Sequence, residues 1–165
     1  MKLTTALAAL AAITVSSVSA QFTNFVNASR TSTQYAGSNF TSSPYPWCIG
    51  KEFCLTATGT LSTDIVKGSR YDITGRTYGR LTYTDSHDLC SLLAASGTPC
   101  PIPAGPFNLN LCVPVKPNLP PNFPTEFIFA AINGDGGILF APATPGYVSN
   151  PREPSNPRLY GVICP

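Results

Sequence analysis

From Tyr45 onward, apolar and polar residues alternate in short runs split by Gly and Pro, and no long stretch keeps a helical period. In 53–61, Phe53, Leu55, Ala57, Gly59 and Leu61 fall on one face, with Cys54, Thr56, Thr58 and Thr60 on the other. The cleanest alternation is 107–116, where Phe107, Leu109, Leu111, Val113 and Val115 interleave with Asn108, Asn110, Cys112, Pro114 and Lys116. Side chains on a strand point alternately to its two faces, so both patterns predict strands with one face in a core. The same reasoning predicts strands over 70–76, 79–83, 126–132, 138–141 and 159–164. Asn133-Gly134-Asp135-Gly136-Gly137 supplies a hairpin turn between two of them. About seven short strands with turns between them predict an all-β sandwich or barrel.

Three segments depart from this rhythm. Asp85-Ser86-His87-Asp88 precedes Leu89-Cys90-Ser91-Leu92-Leu93 and reads as a capped helical turn, with Asp85 as N-cap and Asp88 three residues in. Residues 142–157 hold five prolines in sixteen positions, which predicts a surface loop, because proline is confined to the edges of sheets. Residues 21–44 hold nine Ser/Thr, the single charge Arg30 and no sustained alternation, which predicts a flexible tail. That segment carries the sequons Asn27-Ala28-Ser29 and Asn39-Phe40-Thr41, candidate glycosylation sites or chance matches in a Ser/Thr-rich stretch.

Ahead of the tail, Lys2, the apolar run 3–15 and Val18-Ser19-Ala20 have the form of a secretory signal peptide cut after Ala20. The remaining 145 residues carry nine Lys+Arg against eight Asp+Glu with neither sign clustered, which argues against nucleic-acid binding. All six cysteines follow the predicted cut, and an even number in an exported chain predicts three disulfides, without saying which of fifteen pairings holds. Metal binding has little support: there is no C-x-x-C knuckle and His87 is the only histidine.

Catalytic constellations are equally sparse. Ser86, His87 and Asp88 are the residue types of a nucleophilic triad, but neighbours in sequence point in divergent directions. Asp85 and Asp88 form a candidate glycosidase pair that the helix cap explains more simply. There is no G-x-S-x-G elbow, phosphate loop or H-E-x-x-H helix. Tyr45, Trp47, Tyr78 and Tyr83 are candidates for a sugar platform, although aromatics in a β-domain usually serve as core or edge residues.

Gly59, the Gly79-Arg80-Leu81 run, Asp88-Leu89-Cys90, Cys100-Pro101-Ile102 and Gly105, in that order and spacing, resemble the ML lipid-recognition family. That family takes in phospholipid-transfer and sterol-carrier proteins. The resemblance covers about 53–140 and implies an immunoglobulin-like β-sandwich over 45–165, with a lipid held between two splayed sheets and no catalytic residues. It pairs Cys90 with Cys100 and gives Cys164 the role of a cysteine that 138–140 lacks. In an immunoglobulin-like order the strands of Cys54 and Cys112 are neighbours, which leaves Cys48 for Cys164.

On this reading the ligand is lined by the inward residues Leu55, Ala57, Leu61, Ile73, Leu81, Phe107, Leu109, Leu111, Val113, Phe127, Phe129, Ala131, Ile138 and Phe140. Leu119 and Phe123 form the cavity mouth. Small Ala57, Gly59 and Ala131 beside large Leu55, Leu111 and Phe129 either interlock or leave an apolar void. The expected partners are a phospholipid or sterol and, transiently, a membrane surface, with no cofactor, metal or nucleic acid, for a chain acting as a monomer. Its destination is the extracellular medium or, alternatively, the vacuolar lumen. A rival expectation is a secreted, non-enzymatic interaction module, wall-associated or host-directed, with the same fold and a filled core.

Overall fold

The computed structural model describes residues 20–119, 123–149 and 164. In chain order its elements are β1 (Ala20–Phe22), β2 (Val26–Asn27), β3 (Tyr35–Tyr45), β4 (Trp47–Cys48), β5 (Glu52–Leu61), β6 (Arg70–Thr77), β7 (Arg80–Asp88), α1 (Leu89–Ala95), β8 (Gly105–Pro114), β9 (Thr125–Ile132), β10 (Ile138–Phe140), β11 (Pro142–Gly146) and β12 (Val148–Ser149).

Two antiparallel sheets face each other. One has the order β1-β3-β5-β8; the other runs β2-β11-β9-β6-β7, with β10 also pairing β9, and β12 and β4 form a short parallel pair. The alternations in 53–61 and 107–116 set the central ladder of the first sheet, where β5 and β8 stay in register from Glu52↔Pro114 to Leu61↔Gly105. Phe53, Leu55, Ala57 and Leu61 meet Phe107, Leu109, Leu111 and Val113 on the buried side. The Asn133–Gly137 turn joins β9 to β10, closed by the Asn133 and Gly137 backbones at 2.8 Å.

Three disulfides staple the sandwich: Cys48–Cys164, Cys54–Cys112 and Cys90–Cys100. Cys54 and Cys112 are direct cross-strand partners. Cys90–Cys100 ties α1 to the loop before β8.

Residues 21–44 are not a tail. They supply β1, β2 and most of β3, which pairs β5 from Tyr35↔Leu61 to Ser43↔Cys54. Two residues of β3, Asn39 and Phe40, stand opposite Ala57 alone, a bulge that breaks the period-2 signal. The stretch after Phe140 also joins the sheet: β11 runs between β9 and β2 and is mostly buried. Pro145 falls beyond the reach of β2, where β11 has a neighbour on one side only, and proline is tolerated there. The rest of the expected loop, the predicted signal peptide up to Ser19 and the predicted strand 159–164 apart from Cys164 lie outside the described residues.

β7 extends to Asp88, so the N-cap of α1 is Asp88 and not Asp85. The Asp88 carboxylate accepts the Ser91 backbone N–H at 2.6 Å, while Asp85 lies on β7 with its side chain buried.

Candidate functional site

Around Trp47 the space between the sheets is filled. A gap of about 10 Å³ remains there, lined by Trp47, Phe53, Ile73, Tyr83, Val115, Leu119, Phe127, Phe129 and Val148. That is scarcely the room one water needs. Trp47 fills the middle, with ring centroids 4.9 Å from Phe127 and 5.6 Å from both Phe53 and Phe129. Its indole N–H donates to Ser42 Oγ at 3.0 Å, so the one polar atom of the ring is satisfied inside. Ala57, opposite Leu109, and Ala131, between Tyr71 and Phe140, are both buried beside larger residues, which is the interlocking alternative.

Of the expected lining residues, Leu55, Ala57, Leu61, Ile73, Phe107, Leu109, Leu111, Val113, Phe127, Phe129, Ala131 and Phe140 are buried in this core, and Ile138 is half-buried. Leu81 is 56 % exposed. The β6–β7 ladder steps from Gly75↔Tyr83 to Arg76↔Leu81, so the extra residue Thr82 turns Leu81 outward although it shares parity with inward Tyr83. The expected mouth also divides. Leu119 is buried over the interior gap, whereas Phe123 is 47 % exposed beside Tyr78, their rings 6.4 Å apart.

The larger opening lies elsewhere, a cleft of about 500 Å³ between β3 of one sheet and β2, β10 and β11 of the other. Its apolar wall is Phe25, Tyr35, Phe40 and Phe140. Phe40 stands 6.3 Å from Phe25, 6.4 Å from Tyr35 and 6.0 Å from Phe140. Tyr35 is fixed by a hydrogen bond from its hydroxyl to the Phe107 carbonyl at 3.1 Å, and burial pushes its pKa up to about 12, against a backbone hydrogen bond that lowers it. Thr23, Asn27, Thr33, Ser38 and Asn39 make a polar rim. The cleft has the volume of a usual small-molecule site, though more of its surface is polar than apolar. Among the expected lining residues only Phe140 reaches it. The wall comes mainly from the segment expected to be a tail, and its irregularly spaced aromatics Phe25, Tyr35 and Phe40 were the available signal.

The ML domain family model matches residues 17–139, three quarters of the chain. The chain belongs to the ML family. Among solved structures, a Niemann-Pick type C2 protein from Japanese carpenter ant is similar in fold, with a TM-score of 0.56 at 15% identity over 76% of this chain and 100% of that one. No curated protein matches. The ML fold is a lipid-binding fold, and its immunoglobulin-like sandwich is the one described above.

Across the ML sandwich from the cleft, polar groups close the edge formed by β7 and the end of β8. The Asp85 carboxylate accepts from Lys116 Nζ, from the Tyr83 hydroxyl at 3.2 Å and pairs with His87 Nε2 at 2.9 Å. Burial alone raises an acid's pKa, but hydrogen bonds from Lys116 and His87, together with their charges, outweigh it and hold Asp85 below the ordinary carboxylate range. Next to this group the Tyr71 hydroxyl is buried without a hydrogen-bond partner, and burial pushes its pKa far up.

The residue types that suggested chemistry do other work. Ser86 donates to Asp72 at 2.6 Å, His87 pairs with Asp85, and Asp88 caps α1, so the three do not converge. Tyr45, Trp47, Tyr78 and Tyr83 do not form a platform either, because Trp47 and Tyr83 are buried and Tyr78 projects from the β6–β7 turn. Among the described residues, Glu52, Cys54 and Cys112 lie within 4.8 Å of one another, but both sulfurs are locked in one disulfide and do not offer thiolates to a metal.

Proposed function

We propose that this ML domain is a secreted, non-enzymatic lipid-binding and lipid-transfer protein that takes the apolar part of a phospholipid or sterol into the cleft between β3 and β10–β11. The observation that carries the reading is the cleft itself, about 500 Å³ between two sheets of a lipid-binding fold, with an aromatic wall and a polar rim. Each methylene moved from water onto that wall contributes roughly 0.8 kcal/mol. The rim keeps a headgroup at the surface. Three disulfides fit an oxidising compartment, outside the cell or in a vacuolar lumen. Membrane contact belongs to the same reading, and the exposed pair Tyr78 and Phe123, with exposed Arg76 and Arg80 nearby in sequence, is the surface available for it.

Organic extraction of the purified protein followed by mass spectrometry tests the proposal. Stoichiometric phospholipid or sterol is the expected result. A clean extract, together with no uptake from vesicles of phosphatidylglycerol, phosphatidylinositol and sterol, overturns it. The filled interior favours one other reading, an interaction module that keeps the fold without a ligand.

A further inference from the structure

Both sequons of the chain fall on the same cleft. Asn27 lies on β2 of one sheet, Asn39 lies on β3 of the other, and both are exposed on its rim. The bulge in β3 explains the second placement. At Asn39 the backbone φ is 53°, the left-handed region that asparagine tolerates better than most residues, so Phe40 joins the cleft wall while Asn39 remains exposed. On the facing side, the Asn27 side-chain oxygen accepts the Ser29 backbone N–H at 2.9 Å, ordering the first sequon at the rim. Secretion would carry both asparagines past the glycosylation machinery.

We infer that Asn27 and Asn39 carry N-linked glycans that flank the cleft mouth and slow the passage of ligand. The inference rests on the export and lipid-binding readings above. An N-glycan is bulky and hydrophilic. One on each sheet narrows the route for an apolar chain without touching a ligand already seated against Phe40 and Phe140. The effect is therefore kinetic: association and dissociation slow together, and the equilibrium affinity moves little.

The test uses the full chain secreted by a glycosylating eukaryotic host, before and after an endoglycosidase that leaves one sugar on each asparagine. Intact mass counts the glycans, and stopped-flow fluorescence follows the apolar probe 1-N-phenylnaphthylamine. Trimming is expected to raise both rate constants by at least about threefold while Kd stays within about twofold. Asn27→Gln, Asn39→Gln and Thr41→Ala, each removing one sequon, are expected to give intermediate rates. Unmodified asparagines overturn the inference, as do equal rates for trimmed and untrimmed protein that both take up probe. No uptake by either form, with a clean lipid extract, overturns the lipid-binding reading and this inference with it.

Discussion

Asp85 on β7 and Lys116, two residues past β8, form an ion pair that joins the two sheets at the edge opposite the cleft. The carboxylate has no exposed surface, while the lysine is 47 % exposed, so the two ends of the pair are not equivalent. Removing the carboxylate leaves Lys116 free to turn to water and takes one hydrogen-bond partner from the Tyr83 hydroxyl and from His87.

Asp85→Ala is therefore expected to cost about 2 kcal/mol, below the roughly 3–5 kcal/mol of a fully buried broken pair. The pH dependence has a definite sign. The folded pKa lies below the ordinary value of 3.8, so the stability linked to ionised Asp85 is complete above that value and is lost as pH falls through it toward the folded pKa. Urea midpoints from pH 7 to pH 2 should fall less steeply below pH 4 for Asp85→Asn than for wild type. Parallel curves would show that the carboxylate is not held by its neighbours.

Tyr71 gives the opposite sign. Its hydroxyl is buried with no partner, a desolvation cost of about 1–3 kcal/mol that nothing offsets. Tyr71→Phe keeps the ring, 6.3 Å from Phe140, and removes the orphan oxygen, so it should stabilise the fold by about 1 kcal/mol. Chemical denaturation measures it. A loss of stability would mean that the hydroxyl is satisfied in solution.

Gly37 and Gly59 face each other across β3 and β5, with the Tyr35 ring packed over both. A methyl on Gly59 would fall 2.8 Å from the Gly37 Cα and 2.8 Å from Tyr35 Cε2, and closer still to the Ala36 carbonyl, so both backbone and ring must shift. Gly59→Ala is expected to cost about 2 kcal/mol, an overpacking penalty. A displaced Tyr35 ring also loses burial, the main cause of its raised pKa, so an ultraviolet titration should show the phenol falling from about 12 toward 10.

How far the sequence showed this molecule depends on what faces inward. Where inward residues are apolar, as in 53–61 and 107–116, strand and face are readable because the side-chain period is two. In β7 the inward positions are Tyr83, Asp85 and His87, and two polar residues in that row make a strand resemble a capped turn. In β3 the bulge at Asn39 and Phe40 shifts the phase midway, and Ser42 is buried because Trp47 needs its hydroxyl, so the segment reads as Ser/Thr-rich coil. The cleft is built from that segment and was illegible for the same reason. Ala57 and Ala131 show the other limit: sequence gives the sizes of inward residues but not whether they interlock.

Phe123 separates transfer from binding. It projects with Tyr78 near Thr125 and Thr77, while the cleft reaches β9 through Phe25 at Phe129 and Phe140 at Ala131, roughly 13 Å or more away along that strand. Phe123→Asp is expected to slow lipid transfer between vesicles at least fivefold while leaving lipid occupancy at equilibrium unchanged, because it puts a charge on the surface proposed for membrane contact and Phe123 is not a cleft residue. Equal loss of both would place the ligand next to Phe123.

Filling space distinguishes the cleft from the interior as the lipid seat. Ala131 is completely buried between Tyr71 and Phe140 on the neighbouring strands, so Ala131→Phe overpacks the core and should cost about 1–3 kcal/mol or more. Ala36 lies on the cleft wall and is exposed, so Ala36→Trp adds volume to open space and should cost under about 0.5 kcal/mol. If lipid occupies the cleft, Ala36→Trp lowers uptake at least tenfold in a protein that melts like wild type, whereas Ala131→Phe loses stability and, below its melting point, still takes up lipid. The reverse pattern, uptake abolished by Ala131→Phe and untouched by Ala36→Trp, requires the sheets to part and admit the ligand beside Trp47. In that case the packed interior is a closed state that lipid must open.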